Sequence, residues 1–297
     1  MRSHTIRRRT KALAALAILA GTVLAGQATP AAADVTGYEV VPHNSTLSSN
    51  PTRGATAECP GNKQLIGMGA SVIPTQTEVL LEKIVPDLGT ESVEVFAHES
   101  ATGTGSSWRV QAIAVCADPG EAPGRYLVTA EDTISGPGLE SAGAFADCDP
   151  GDRTLSAGFE LSGTAGRVHL TTLLPTLDTV LAVGQEDQAG TNAIWSVEAI
   201  SLCSTVSDSD IHWDESFAVS TSSGRTHWTE CPEDFRVTGG GGFAYDESGA
   251  SGTQNIYSVK YSAFMGLDYA VVSSNEPSPG TLDNSTLYGY VVCLDVS

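Results

Sequence analysis

Three pairs of cysteines at a near-constant separation constrain this chain more than any other feature. Cys59/Cys116, Cys148/Cys203 and Cys231/Cys293 lie 57, 55 and 62 residues apart. Each first Cys stands in a turn, within Cys59-Pro60-Gly61, Cys148-Asp149-Pro150-Gly151 and Cys231-Pro232. Each last Cys closes a hydrophobic, strand-like run. A fixed period of this kind means one supersecondary unit used repeatedly. Equivalent units should pair their cysteines internally, which predicts disulfides 59–116, 148–203 and 231–293. Metal binding by these cysteines would need C-x-x-C spacing, which is absent.

The closing strands correspond most clearly. Trp108–Cys116 reads WRVQAIAVC, Trp195–Cys203 reads WSVEAISLC, and Ser285–Cys293 reads STLYGYVVC. Side chains alternate faces along a strand, so Trp108, Val110, Ala112, Ala114 and Cys116 share a side, as do Trp195, Val197, Ala199, Ser201 and Cys203. That position assigns Trp108 and Trp195 to core packing. A Gly-bearing strand follows each first Cys, with Gly69, Gly158 and Gly242 taken as equivalents. Glycine inside a strand marks a bulge or the close approach of another backbone. Two middle strands and a leading strand (Tyr38–Val41, Tyr126–Thr129, Phe217–Val219) complete a five-stranded unit. The fold class is therefore all-β: three homologous disulfide-stapled antiparallel units, packed with pseudo-threefold symmetry as a β-prism or as tandem sandwiches. The units span residues 34–118, 119–205 and 206–297.

The first 33 residues read as an export signal. Arg2, Arg7, Arg8, Arg9 and Lys11 precede an apolar run from Ala12 to Gly26, and Ala31-Ala32-Ala33 offers small residues for cleavage before Asp34. The apolar run is shorter than the ~20 residues that span a bilayer. The expectation is a secreted, extracellular protein without membrane insertion, in which six cysteines read as disulfides. The whole chain carries 15 basic and 35 acidic side chains, a net charge of −20. Loss of the five basic leader residues makes it more acidic still. Such a field repels phosphate backbones, which argues against a nucleic-acid partner.

Catalytic patterns are sparse. No G-x-S-x-G occurs, the nearest string being Gly249-Ala-Ser251-Gly. His43, His98, His169, His212 and His227 share no repeat position and form no H-E-x-x-H. No catalytic residue is assigned. Paired carboxylates of a glycoside hydrolase leave no sequence spacing, so that reading stays open as the weakest of three. Calcium is the most plausible ion, because Asp147, Asp149 and Asp152 place oxygens in one turn segment, as does the group Asp208, Asp210, Asp214 and Glu215. Asp149 and Asp152 also suit an ordinary turn beside Pro150-Gly151. Trp213 and Trp228 fall outside the core pattern and are the candidate ligand-binding aromatics.

Three tandem all-β units with a Cys-Pro turn, a Gly-rich strand and a closing strand ending in Cys resemble exported bacterial repeat proteins. The layout over residues 38–295 also resembles, more distantly, the vitelline membrane outer layer protein family. That resemblance implies three Greek-key sheets in a β-prism and a carbohydrate-facing or matrix role. It carries over no functional residue. The leading functional expectation is non-catalytic binding of an extracellular glycan, cell surface or protein. The alternative is an extracellular protease inhibitor acting through an exposed loop such as Ala101–Ser107 or Asn275–Asn284.

Overall fold

The computed structural model describes residues 35–134, 141–187, 189–208, 211–220, 224–246, 255–264, 267–275 and 285–295. The expected signal peptide, Asp210 and residues 276–284 lie outside them. The described residues form eighteen strands and no α-helix, six strands to each sequence repeat. In the first repeat these are β1 (Glu39–Asn44), β2 (Thr52–Glu58), β3 (Gln64–Ile73), β4 (Val79–Asp87), β5 (Ser92–Glu99) and β6 (Arg109–Ala117). The second has β7 (Tyr126–Ile134), β8 (Ser141–Asp147), β9 (Arg153–Ser162), β10 (Val168–Pro175), β11 (Thr179–Glu186) and β12 (Trp195–Ser204). The third has β13 (Ile211–Ser220), β14 (Gly224–Glu230), β15 (Phe235–Asp246), β16 (Asn255–Phe264), β17 (Leu267–Asn275) and β18 (Ser285–Asp295).

The strand missing from the five-stranded expectation is the one just before each first Cys: β2, β8 and β14. In β2 and β8 the alternation is weak in sequence because the inward residues are small, and in β14 because they are polar, Arg225 and Thr229. Ala55 and Ala57, like Ala142, Ala144 and Ala146, are buried while their neighbours face out.

The strands assemble into three six-stranded antiparallel sheets, and every sheet draws on two repeats. Sheet I runs β1-β6-β3-β16-β17-β14, sheet II runs β7-β12-β9-β4-β5-β2, and sheet III runs β13-β18-β15-β10-β11-β8. Each repeat thus gives half of its strands to one sheet and half to the next, cyclically. This sharing is that of a prism; in tandem sandwiches each sheet would be built from one repeat. One hydrophobic cluster, with Leu65, Leu155 and Val237 from the three repeats, fills the space between the sheets.

The junctions where repeats meet explain the glycines. At each, a Gly-bearing strand pairs over two residues with a strand of another repeat: Ser71 and Ala70 with Ser258 and Val259, Glu160 and Phe159 with Lys83 and Ile84, Phe243 and Gly242 with Thr172 and Leu173. A Cβ on Gly69, Gly158 or Gly241 would lie 2.6, 2.4 or 1.9 Å from the carbonyl oxygen of Val259, Ile84 or Leu173. The third equivalent is therefore Gly241, not Gly242, and the three glycines are needed for backbone approach between repeats. Three bulges, at Ile66, Leu155 and Thr238, bring the same strands together closer to their cysteines. There Gly67 abuts the Thr238 carbonyl, and Ser156 Oγ accepts from Met68 N at 3.0 Å.

Disulfides join Cys59–Cys116, Cys148–Cys203 and Cys231–Cys293, as the repeat predicts, with Cα–Cα distances of 5.7, 5.7 and 5.9 Å. Each staples the turn before a Gly-bearing strand to the closing strand of the same repeat. Three disulfides and no free cysteine fit an oxidising compartment. No helix among the described residues is long and apolar enough to cross a membrane.

Candidate functional site

The threefold repeat makes equivalent positions comparable, and one row of residues on the outer faces differs in chemistry from sheet to sheet. In sheet I the row is Asn44, Gln111, Ser71, Ser258, Ser273 and Thr226, directly opposite one another across six strands. Side-chain hydrogen bonds link it, from Gln111 to Asn44 (3.1 Å), Ser258 to Ser71 (3.1 Å) and between Thr226 and Ser273 (2.9 Å). In sheet II the equivalent row is Glu131, Glu198, Glu160, Lys83 and Phe96. Like charges directly opposite across strands oppose sheet formation, so this face is held by the pairing of its backbone and its inner side.

In sheet III the row is Phe217, Tyr288, Phe243, Thr172 and Val183. Phe217 and Tyr288 have ring centroids 5.4 Å apart, and Tyr288 stacks on Phe243 at 6.0 Å with 23° between the ring planes. Phe217 is 60 % exposed. The opposite side of the same strands carries Leu287, Leu173, Ala182 and Ala144, all buried. The aromatics therefore stand on the solvent side because strand alternation places the core-filling aliphatics on the other. Two residues along, Leu174, Leu181 and the exposed Phe145 extend the apolar face to the far edge. Glu215 lies opposite Tyr290 beside the aromatics. Burial first, and then the Glu215 carboxylate, push the Tyr290 phenol up to about 12, so it stays protonated.

The expected aromatic pair divides. Trp228 is exposed on β14 of sheet I, edge-on to Tyr269 at 6.0 Å. Trp213 is partly buried against the core, donates Nε1–H to the Pro175 carbonyl at 2.6 Å and stacks on Tyr290. Its indole nitrogen is used within the protein, so Trp213 serves the sheet more than a ligand. Sequence reasoning misses Phe217, Tyr288 and Phe243 as a group. The available signal is Tyr288, which stands where the other closing strands have Gln111 and Glu198.

The acidic candidates are absorbed by turns. Asp147 Oδ1 accepts from Thr179 Oγ1 at 2.7 Å. The Asp149–Asp152 turn closes through Asp152 N to the Asp149 carbonyl, and Tyr126 Oη both accepts from Asp149 N and donates to Asp152 Oδ2. Asp208 pairs with Arg153, and Asp214 accepts from Glu215 N. Among the described residues no group of three His, Cys, Asp or Glu side chains is arranged to hold a metal ion.

At one end of the prism two loops are held by carboxylates, Glu99 partly buried and Glu186 buried. Trp108 Nε1 donates to Glu99 Oε1 at 3.0 Å and Thr104 N donates to Glu99 Oε2 at 3.1 Å. In the next repeat Trp195 Nε1 and Thr191 N bond Glu186 in the same way, at 2.8 and 3.0 Å. Trp108 and Trp195 lie in the core, as their strand position predicts. Of the histidines, His227 is partly buried on β14, where Ser216 Oγ lies 2.6 Å from its Nε2 and 3.0 Å from Thr229 Oγ1, linking β13 to β14 at a corner. Loss of solvent lowers the His227 pKa and keeps the ring neutral.

No protein-family model matches the chain, and no curated protein matches it.

Proposed function

We propose that this is a secreted, non-catalytic binding protein for extracellular glycans, with the outer face of sheet III as its platform. The aromatic row Phe217–Tyr288–Phe243 carries the reading. Flat sugar faces stack on aromatic rings, and three rings with successive centroids 5.4 and 6.0 Å apart form one continuous aromatic strip. Glu215 beside the row supplies acceptors for sugar hydroxyls and disfavours anionic glycans. The disulfides, the leader-like N-terminus and the resemblance to the vitelline membrane outer layer family support an extracellular setting.

Co-sedimentation of the oxidised protein with insoluble cellulose, chitin and mannan tests it. Binding to at least one should fall about tenfold in Tyr288→Ala, equivalent to about 1.4 kcal/mol. It should be unchanged in Gln111→Ala and Glu198→Ala, the same position on the other sheets. No binding to any neutral polysaccharide, or equal losses in all three variants, would remove the platform from consideration.

The protease-inhibitor reading has one observation in its favour: the exposed loop after β5 is pre-ordered by Glu99 through Thr104 N, and by Thr104 Oγ1 through Ser106 N. Slow cleavage of an otherwise resistant protein within residues 101–107 would select it. The other expected loop, 275–284, lies almost wholly outside the described residues.

A further inference from the structure

A small pocket opens at the end of the prism that carries the Glu99 and Glu186 loops, at the seam between the first and second repeats. Glu78, Ser100 and Thr102 line it from the first repeat, and Arg167, His169 and Asp187 from the second. It lies at the end of β10 and β11, two strands of sheet III, away from Phe217 on β13. His169 is 1 % exposed, and its Nε2 is buried without a hydrogen-bond partner. A buried polar nitrogen without a partner is a cost that folded proteins avoid unless something supplies the bond. Burial lowers the His169 pKa to about 4, against a raising influence of Asp187, so the ring is neutral at ordinary pH.

Repeat equivalence shows that the fold does not require this histidine. His169 directly precedes Leu170, the last residue paired before the β10 bulge; Leu80 and Asn255 hold the same place before Leu81 and Ile256. Leu80 fills the position with hydrocarbon. Asn255 donates to the Val79 carbonyl and to Asn275 Oδ1, both at 3.3 Å. Asn255 Oδ1 is also buried without a partner, but in the second repeat the unpartnered atom is a ring nitrogen of a residue that lines a pocket.

The rest of the lining is pre-set. Asp187 Oδ1 accepts from Ala189 N and Gly190 N, and Oδ2 holds Arg167 Nη1 at 3.0 Å, so the guanidinium is fixed beside the pocket. Ala101 N donates to the Gly166 carbonyl at 2.9 Å, and a Cβ on Gly166 would lie 3.0 Å from that same nitrogen. Ser100 Oγ and Thr102 Oγ1 are 2.8 Å apart. The walls thus offer carboxylate acceptors, guanidinium donors, two hydroxyls and a neutral imidazole, with no excess of positive charge. Paired donors and acceptors of this kind suit groups that donate and accept at once, namely vicinal hydroxyls.

We infer that this pocket, with a volume of about 40 Å³, is a second binding site, which takes one hydroxyl-bearing edge of a neutral terminal sugar, with His169 Nε2 making the innermost hydrogen bond. The test is a titration of the oxidised full chain with glucose, galactose, mannose and N-acetylglucosamine, followed by the ¹⁵N resonances of the histidine rings. At least one sugar should move the His169 Nε2 resonance saturably. His169→Leu, which copies Leu80 in the equivalent place, should weaken that sugar at least tenfold while its thermal midpoint stays at or above that of the parent. Arg167→Met, at the pocket mouth, should weaken it as well and provides a second readout if His169→Leu misfolds. Phe217→Ala should leave the titration unchanged. A His169 resonance indifferent to all four sugars, affinity retained in both pocket variants, or a response abolished by Phe217→Ala would each overturn the assignment; the last would transfer sugar binding to sheet III.

Discussion

The indole Nε1 of Trp195 donates a 2.8 Å hydrogen bond to Oε1 of Glu186, and both side chains are buried. The same bond joins Trp108 to Glu99 in the preceding repeat. Its function is to anchor a loop to the core, since each carboxylate's second oxygen accepts a backbone N–H of that loop. Glu186→Ala would leave the indole N–H and Thr191 N–H without partners and should cost about 1–3 kcal/mol. Urea unfolding reads the loss, and hydrogen exchange should show residues 189–194 deprotected first. An unchanged midpoint would mean that the carboxylate does not anchor the loop.

Gly158→Ala tests the junction between repeats. The new methyl would sit 2.4 Å from the Ile84 carbonyl, where backbone on both sides resists movement. The expected loss is about 2–3 kcal/mol. Gly151→Ala meets nothing nearby, but its φ of +99° strains any side chain, so Gly105→Ala, in open space, is the cleaner control. Equal midpoints for Gly158→Ala and Gly105→Ala would contradict the close approach.

Removing one disulfide by Cys148→Ala with Cys203→Ala should lower stability by about 2–5 kcal/mol, because a closed loop of this size restricts the unfolded chain. The strands adjoining it belong to a sheet shared with the first repeat, so the loss should appear as one cooperative transition. Calorimetry showing a separate second-repeat transition would speak against the shared-sheet architecture.

The buried His169 sets an acid limit. Its folded pKa, about 4, lies below the ordinary imidazole value of 6.5. Above the unfolded value neither state binds the proton, and stability is intact. Between 6.5 and about 4 the unfolded state binds it and the folded state does not, so stability falls as pH falls, by up to about 1.4 kcal/mol per unit. His169→Leu should flatten that part of the stability–pH profile. A parallel profile for the two proteins would show that His169 is not buried in this way.

Much of the fold is legible in the chain because its signals are local. The cysteine pairs, the closing strands from Trp108 and Trp195, and the Gly-bearing strands all follow from spacing and alternation. The strands before each first Cys are not legible, since Ala55, Ala57, Ala144 and Ala146 bury too little to stand out and the inward Arg225 and Thr229 of the third repeat are polar. The placement of the candidate aromatics is half legible. Trp228 is exposed as expected, but Trp213 is packed onto Tyr290 and tied to the Pro175 carbonyl, a contact between residues of different repeats. The Asp149–Asp152 segment reads first as a plain turn, with calcium as the alternative, and the Tyr126 hydroxyl bonds both Asp149 N and Asp152 Oδ2 within it.

The number of units, the three disulfides and the all-β class follow from the chain alone, because each depends on residues within one repeat and on the two-residue period of a strand. Three other features emerge only on folding. Each sheet is shared between repeats, Gly241 is the third junction glycine, and Phe217, Tyr288 and Phe243 form one row while His169 faces a pocket built with Ser100 and Thr102. These depend on strand register and on contacts between separate repeats. The energy that selects them is gained on packing, and no local pattern of residues encodes it.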